Sequence, residues 1–168
     1  MPTLPSVRRL SEPDRPWVRR AVQSAWGSIY VARKGQLLDA SALDGFVASL
    51  DGVDVGLITV LQHGTEYEVV SISTTIESHG VGRALFSRAI DDARSRGCGR
   101  VWLTTTNNNT RAIAFYQRLG MNLCAFYPDG VSASRRVKPS IPLRDQSGVS
   151  ISHELEFELF LAPDASHD

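Results

Sequence analysis

The distribution of apolar and polar residues predicts antiparallel strands in the first half of the chain. Two apolar runs, Phe46–Leu50 and Val53–Leu61, flank Asp51-Gly52, a pair that strongly favours a two-residue β-hairpin turn. Gly56 within the second run indicates a bulge or a close backbone approach. A third segment, Glu66–Thr74, places alternate residues on two different faces, so we expect three consecutive antiparallel strands.

A helix follows these strands. From Val81 onward the apolar residues recur at the spacing of one helical face, and this stripe consists of Val81, Leu85, Phe86, Ala89, Ile90 and Ala93. The charged residues between them, Asp92 included, are expected to face water. Gly97 is placed to end the helix, because glycine readily takes the left-handed conformation that often follows a last helical turn.

A further helix is predicted after a buried strand at Val101–Thr106. Polar residues in Asn107–Thr110 are suited to cap its first turn, and Gly120 is placed to end it. Its inward face is expected to carry Ala112, Phe115, Tyr116 and Leu119.

The N-terminal part has weaker signals. We expect a short strand at Val7–Leu10 and then a helix from about Pro16 to Trp26. The apolar stripe of that helix is predicted to be Trp17, Ala21 and Ala25. The polar stretch Arg33–Ser41 is interpreted as a connection or a short second helix.

The C-terminal part completes a mixed pattern of strands and helices. Leu123–Tyr127 reads as a strand, and residues from about 128 to 150 read as a long basic connection. Ile151–Phe160 alternates apolar residues with glutamates, which predicts a strand with a mainly acidic outer face. From about residue 162 we expect a frayed tail.

Composition narrows the class of protein. The chain has 168 residues, of which 42% are hydrophobic and 21% charged, and its formal net charge is zero. We therefore expect one globular domain, residues 1–168, without a nucleic acid or a membrane as partner. No apolar leader or long apolar run is present, which predicts a cytoplasmic protein. Cys98 and Cys124 lack zinc-ligand spacing, so we expect buried free thiols and no metal.

The segment Glu77-Ser78-His79-Gly80-Val81-Gly82 carries the first candidate site. It joins an apolar strand to an amphipathic helix through two glycines. Free N–H groups at a helix start, together with the helix dipole, favour a bound anion such as a pyrophosphate. The segment by itself is a weak signal, because two-glycine turns have many purposes.

A second segment makes the first more specific. Its residues are Asn107, Arg111, Ala112, Phe115, Tyr116, Gly120 and Met121. The two segments together resemble the GNAT superfamily of N-acetyltransferases, whose motifs are Gln/Arg-x-x-Gly-x-Gly/Ala and Asn-x-x-x-Arg-Ala-x-x-Phe-Tyr-x-x-x-Gly-Met/Phe. The resemblance implies an α+β (mixed α/β) fold with a mostly antiparallel central sheet, splayed between its fourth and fifth strands, and helices on both faces.

The resemblance also implies a cofactor site for acetyl-coenzyme A as the acyl donor. Backbone groups of Ile72, Ser73 and Thr74 would hold the pantetheine amides. N–H groups of His79, Gly80, Val81, Gly82 and Arg83 would hold the pyrophosphate, and Asn107 would hold the splayed strand beside the acyl slot. Glu77 stands where the family has Gln or Arg, so it would repel a pyrophosphate unless its side chain points away.

Transfer of an acyl group to an amine needs a proton acceptor, because an alkyl amine is mostly charged at neutral pH. By its distance from the glycine turn, Glu66 matches a glutamate base of some family members. Glu68 shares its strand face, and a solvated acidic face or a water chain as the base stays open. Tyr116 matches the family's tyrosine that protonates the departing thiolate.

The sequence thus predicts an acetyl-CoA-dependent N-acetyltransferase that acts by direct attack of a primary amine. The alternative is a catalytically idle acyl-CoA-binding or regulatory module on the same fold. The acceptor would be a small molecule or a peptide, and the sequence leaves its identity, the acyl-chain preference and a homodimer open.

Overall fold

The computed structural model describes residues 3–77 and 79–162. Ser78 of the first motif and most of the expected C-terminal tail lie outside the described residues. The helices are α1 (Arg15–Trp26), α2 (Val81–Ser95), α3 (Thr110–Arg118) and α4 (Gly130–Val137). The strands are β1 (Ser6–Arg9), β2 (Tyr30–Arg33), β3 (Gln36–Asp39), β4 (Asp44–Leu50), β5 (Val53–His63), β6 (Glu66–Thr74), β7 (Arg100–Thr106), β8 (Asn122–Tyr127) and β9 (Glu154–Phe160).

Seven of the strands form a mostly antiparallel sheet, and β2 and β3 form a separate two-stranded one. The mixed α/β class is therefore confirmed, while the splay of the central sheet stays a prediction. The chain forms two compact units. Of the described residues, the first comprises 3–29, 39–77, 79–101 and 160–162, and the second comprises 30–38 and 102–159. None of the helices described here is long and apolar enough to span a membrane.

In the first unit the strands lie in the order β1-β4-β5-β6, and each neighbouring pair is antiparallel. Asp51 and Gly52 connect β4 to β5 with φ angles of 50° and 78°. Positive φ at both central residues defines the type I′ turn that a tight hairpin requires. The predicted hairpin is thus confirmed, and the register shift between Ala48 and Ser49 leaves one extra residue in β5, Val55, directly beside Gly56.

Helix α2 packs on this sheet through the predicted apolar stripe, of which Leu85 and Ala89 are fully buried. Gly97 has a φ of 74°, as expected after the last turn. The expected exposure of Asp92 is wrong, because only 3% of its surface is accessible. Its carboxylate lies among hydrogen-bond donors from other elements, which the pattern within the helix does not show.

Helix α1 buries a different stripe from the predicted one. Val18 and Val22 are fully buried, whereas Trp17 and Ala21 are half-buried and Ala25 is exposed. Both stripes have the i, i+4 spacing of one helical face. The prediction was therefore off by one position around the helix, because spacing alone does not select the face that docks.

The stretch Arg33–Ser41 is neither a plain connection nor a helix. It forms the end of β2, the strand β3 and a short 3-10 turn at Ala40–Ala42. Lys34 and Gly35 connect β2 to β3 with φ angles of 50° and 70°, again a type I′ geometry. The polar composition of this stretch did not indicate strands, and the only local signal for the hairpin is Gly35 in its turn.

In the second unit β7, β9 and β8 are adjacent in that order, with β8 and β9 antiparallel. The expected acidic outer face of the last strand is wrong, since Glu154 and Glu156 are 2% and 6% exposed.

The segment from 128 to 150, expected as a connection, contains helix α4. Of the expected inward residues of α3, Tyr116 is buried, and the others are half-buried. Both cysteines are free, Cys98 buried and Cys124 exposed, so burial was wrong for Cys124.

Candidate active site

The first motif forms a turn between β6 and α2. Gly80 is the N-cap of α2 with a φ of 70°, a left-handed conformation that costs a side-chain-bearing residue about 1–2 kcal/mol. The first intrahelical bond is donated by Ala84 N–H to Gly80 O at 3.0 Å. The N–H groups of Val81, Gly82 and Arg83 therefore precede the helical ladder and are oriented along the start of the helix.

The charge of this turn suits an anion. The first turn of α2 contains no acidic residue, and Arg83 within it is exposed. His79 Nδ1 lies 2.7 Å from the backbone oxygen of Glu77, which can only accept a hydrogen bond. The residues present thus fit a pyrophosphate, because N–H donors and the positive end of the helix dipole favour negative charge.

Shifted by two residues, the two small positions of the Gln/Arg-x-x-Gly-x-Gly/Ala pattern are also met, although the first position then has His and not Gln or Arg. In that frame His79 takes the first position, and Gly82 and Ala84 take the two small positions. His79 adjoins the Gly80 cap, whereas Glu77 lies three residues before it. This frame removes the unfavourable acidic residue from the motif, and the sequence reasoning overlooked it.

The last residues of β6 lead into the turn. Ile72, Ser73 and Thr74 pair in register with Ile58, Leu57 and Gly56 of β5. Thr75 N–H then donates to Val55 O at 2.8 Å, which keeps the chain on β5 up to the turn. Thr74 is exposed and the other two are half-buried, so this end of β6 is partly accessible.

The two glutamates near the start of β6 have different surroundings. Glu66 is 45% exposed at its side chain and pairs with Arg100 Nη1 at 3.3 Å. Glu68 is 1% exposed, and its carboxylate lies 2.9 Å from His63 Nε2. A solvated acidic face is therefore wrong for Glu68. Both residues precede Ile72 by several positions, and from Glu66 the separation along the strand is roughly 20 Å.

A buried carboxylate that the sequence did not indicate holds α2 in place. Asp92 accepts from Arg9 Nη2 at 2.6 Å, from Tyr67 Oη at 2.8 Å and from Arg96 Nε at 2.9 Å. Burial raises the pKa of Asp92, but the hydrogen bonds from Arg9 and Tyr67 and the charge of Arg96 outweigh it and hold the pKa below its usual value. The carboxylate thus connects α2 to β1 and β6 within the first unit.

The second motif lies in the second unit and centres on Tyr116. This residue is 8% exposed, and its ring lies 5.7 Å from that of Phe115 and 6.0 Å from that of Phe157. Burial raises the pKa of Tyr116 to about 12. Its hydroxyl is therefore protonated throughout the working range of an ordinary enzyme, which a proton or hydrogen-bond donor requires.

Asn107 uses both polar atoms of its side chain within the protein. Its Nδ2 donates to Ser150 O at 2.8 Å, and its Oδ1 accepts from the N–H groups of Ser152 and His153 at 3.0 and 2.9 Å. The residue thus fixes the segment that leads into β9. This arrangement suits the expected role of holding a strand rather than a direct contact with a ligand.

A cluster that the sequence reasoning missed surrounds Lys34. Its ammonium pairs with Glu156 Oε1 and lies 4.5 Å from the centroid of a Trp102 ring and 5.4 Å from the Tyr127 ring. Tyr127 Oη also donates to Glu156 Oε1 at 3.2 Å. The only local signal was a Lys-Gly pair suited to a turn, because the partners come from β7, β8 and β9.

The fold is that of a mixed α/β protein in which a glycine-capped turn begins helix α2. The chain belongs to the acetyltransferase (GNAT) family, which is matched by residues 5–121. Members of this family are transferases, and acetyl-CoA fits the family as co-substrate. The family resemblance in the two motifs is thereby confirmed.

The relatives agree with this assignment. Over 133 residues the chain is 37% identical to protein YdhI of Bacillus subtilis, covering 79% of this chain and 83% of that protein. It is 40% identical over 57 residues to the streptothricin acetyltransferase of Streptomyces lavendulae, 34% and 30% of the two chains. The yncA protein of Salmonella typhimurium, solved with its cofactor acetyl-CoA, superposes with a TM-score of 0.69 at 17% identity over 98% of each chain.

Proposed function

We propose that this protein transfers the acetyl group of acetyl-CoA to a primary amine of a small molecule or a peptide by direct attack. The observation that carries the proposal is the Gly80-capped start of α2, which directly follows the end of β6. A relative that acetylates streptothricin, as its name states, makes an amine acceptor reasonable. We also propose a single domain and a cytoplasmic location.

We assign the cofactor-binding roles to residues of the first unit. The N–H groups of Val81, Gly82 and Arg83 would hold the pyrophosphate, with His79 and the Gly80 backbone beside them. The half-exposed end of β6 would offer the N–H and C=O groups of Ile72, Ser73 and Thr74 to the pantetheine amides. When bound, acetyl-CoA supplies the thioester whose acetyl carbon is attacked.

Glu66 is the proposed proton acceptor for the attacking amine. Its carboxylate is accessible, which a base that exchanges protons with an incoming amine requires. It must accept this proton while it contacts Arg100. Glu68 is the alternative, since it is buried and reaches partly exposed His63, which can pass a proton onward. A water chain would make neither carboxylate essential.

Tyr116 is the proposed donor to the departing thiolate. A thiol has a reference pKa of about 8.5, well below the pKa of about 12 for Tyr116. Complete proton transfer from this hydroxyl is then uphill by about 5 kcal/mol. We therefore infer that the hydroxyl acts first as a hydrogen-bond donor to the sulfur as negative charge develops, with the proton balance restored from solvent.

Two measurements test the proposed function. Calorimetry should detect acetyl-CoA binding to the wild type and strong weakening in Gly82→Asp, which adds a negative charge at the expected pyrophosphate position. Release of free thiol with a panel of primary amines should then exceed the rate without amine. Unchanged affinity in folded Gly82→Asp would refute the placement of the site. Binding without amine-dependent thiol release would favour the idle-module alternative.

A further inference from the structure

The surroundings of the Lys34 ammonium have the composition of a binding site for alkylammonium groups. We name the set Trp102, Tyr127 and Glu156 the ammonium cage. Two aromatic faces lie within 6 Å of the nitrogen, and a carboxylate that is 7% exposed at its side chain contacts it. Aromatic faces attract cations through their quadrupole, and cages of this kind recognise amines and quaternary ammonium groups.

Lys34 reaches the cage from the tip of a hairpin and not from the body of a packed element. It is the first residue of the β2–β3 turn and has a φ of 50°, a conformation that disfavours residues with a side chain. Its backbone N–H donates to Glu154 Oε2 at 2.9 Å, and Glu154 Oε1 accepts from Ser134 Oγ at 2.5 Å. These bonds fix the backbone of the turn. The position of the turn therefore does not depend on where the Lys34 side chain lies.

The cage is reachable from solvent. The Lys34 side chain is 34% exposed, although its partner Glu156 is buried. Tyr127 is half-buried and lies on β8, which is the last strand in the sheet order. An incoming ammonium could therefore replace that of Lys34 from this side, and the buried carboxylate would contact a cation before and after the exchange.

Such an exchange is balanced in charge. Burial lowers the pKa of Lys34, but the hydrogen bond and charge of Glu156 outweigh it and hold the pKa above its usual value. The resident group is thus a full ammonium, and so is a protonated alkyl amine in water. The two ammonium groups compete for the same carboxylate and rings. Lys34 has the advantage that it is covalently attached nearby, and the ligand can compete when its concentration is high enough.

We propose that the ammonium cage binds a non-reacting ammonium group of the acceptor, and that Lys34 occupies the cage when no acceptor is bound. The proposal rests on the proposed function, because only an acetyltransferase has an amine acceptor. Binding of an ammonium group in the cage does not itself depend on which reaction the protein catalyses. It narrows the acceptor to molecules that carry a second cationic amine, such as diamines, polyamines or lysine-containing peptides. The simpler hypothesis is that Lys34 serves only as a structural partner of Glu156. It predicts that the cage binds no added ammonium group when Lys34 is removed.

The first experiment measures binding without any catalytic step. n-Propylammonium replaces the atoms that Lys34→Ala removes, so calorimetry should show about tenfold tighter binding to Lys34→Ala than to the wild type. The neutral analogue n-propanol is the ligand control, and Lys34→Ala/Glu156→Gln is the protein control. Lys34→Ala should not bind n-propanol, and Lys34→Ala/Glu156→Gln should not bind n-propylammonium. Equal affinity for wild type and Lys34→Ala, or no binding to folded Lys34→Ala, would overturn the proposal.

A second experiment covers the case in which Lys34→Ala folds poorly. In Tyr127→Leu the Lys34–Glu156 ion pair remains, while one ring and its hydrogen bond to Glu156 are lost. The wild type should have a lower KM for cadaverine than for 5-amino-1-pentanol, which has the same chain with a neutral end, and Tyr127→Leu should reduce this preference about tenfold with an unchanged KM for acetyl-CoA. Equal KM values in the wild type would refute the cage as an acceptor site. If no amine is acetylated, the proposed function fails, and the cage is then tested by binding alone. The wild type should bind n-propylammonium more tightly than n-propanol, and Tyr127→Leu should lose this preference. No preference in the wild type would refute the cage.

Discussion

A Cβ atom on Gly56 would lie 2.6 Å from Cγ1 of Val81 and 3.0 Å from Cδ1 of Leu85. Helix α2 therefore begins directly against the backbone of β5. Val81 is β-branched and 2% exposed, so its side chain has little freedom to move away. The position of the first turn of α2 thus depends on the absence of a side chain at Gly56 in β5.

Gly56→Ala should displace the first turn of α2. We expect a loss of about 1–3 kcal/mol of stability, the usual cost of overpacking, together with weaker acetyl-CoA binding. Thermal unfolding and calorimetry measure the two effects. Gly99→Ala is the matched control, because a Cβ there meets open space. Equal behaviour of the two variants would show that the close contact does not position the turn.

Glu66→Gln should slow amine acetylation most near neutral pH and recover partly at high pH, where the amine loses its proton without help. Glu68→Gln, which changes the buried carboxylate next to His63, is the comparison. A pH profile of kcat/KM for both variants separates them. A larger defect in Glu68→Gln would transfer the role of proton acceptor to that residue, and wild-type profiles in both would favour a water chain.

Tyr116→Phe removes one hydroxyl and keeps the ring between Phe115 and Phe157. We expect single-turnover acetyl transfer to slow by about 10²- to 10³-fold, the usual effect of deleting one donor to developing negative charge. Acetyl-CoA affinity and the melting temperature should change little. A rate equal to that of the wild type would assign Tyr116 a packing role alone.

Asp92→Asn should destabilise the first unit at neutral pH by about 3 kcal/mol, the scale of breaking a buried ion pair. The pKa of Asp92 in the folded protein lies below its ordinary value of 3.8. Its contribution is therefore fully present above the unfolded pKa and is lost as the pH falls through the folded pKa. Urea unfolding between pH 7 and pH 3 should show the difference between wild type and variant narrowing below about pH 4. A constant difference would contradict an ionised Asp92.

Several local features could be predicted from the sequence because their causes are local. The Asp51-Gly52 turn depends on two residues that tolerate positive φ. The apolar stripe of α2 and its end at Gly97 follow from helical spacing and from glycine's conformational freedom. The family resemblance depended on two motifs at a fixed separation. These features need no knowledge of what packs against them.

The burial of the acidic residues could not be predicted in the same way. Alternation along β9 shows that Glu154 and Glu156 share a face, but not whether water or protein covers it. Their cationic and hydroxyl partners come from distant segments, and Lys34 is 120 residues before Glu154. Within its helix Asp92 resembles any exposed aspartate, although its partners include Arg9 and Tyr67.

The sequence by itself determined the family, the main strands and helices, and the glycine turn, because short-range periodicity and backbone conformation specify them. The tertiary structure alone decided which face of α1 is buried, that residues 30–39 form a hairpin, and that buried carboxylates collect around Lys34 and on α2. A buried carboxylate is stable in a protein interior only when donors or cations surround it, and most of the donors to these carboxylates come from distant segments. The spatial arrangement of those donors follows from packing, which periodicity along the chain does not contain.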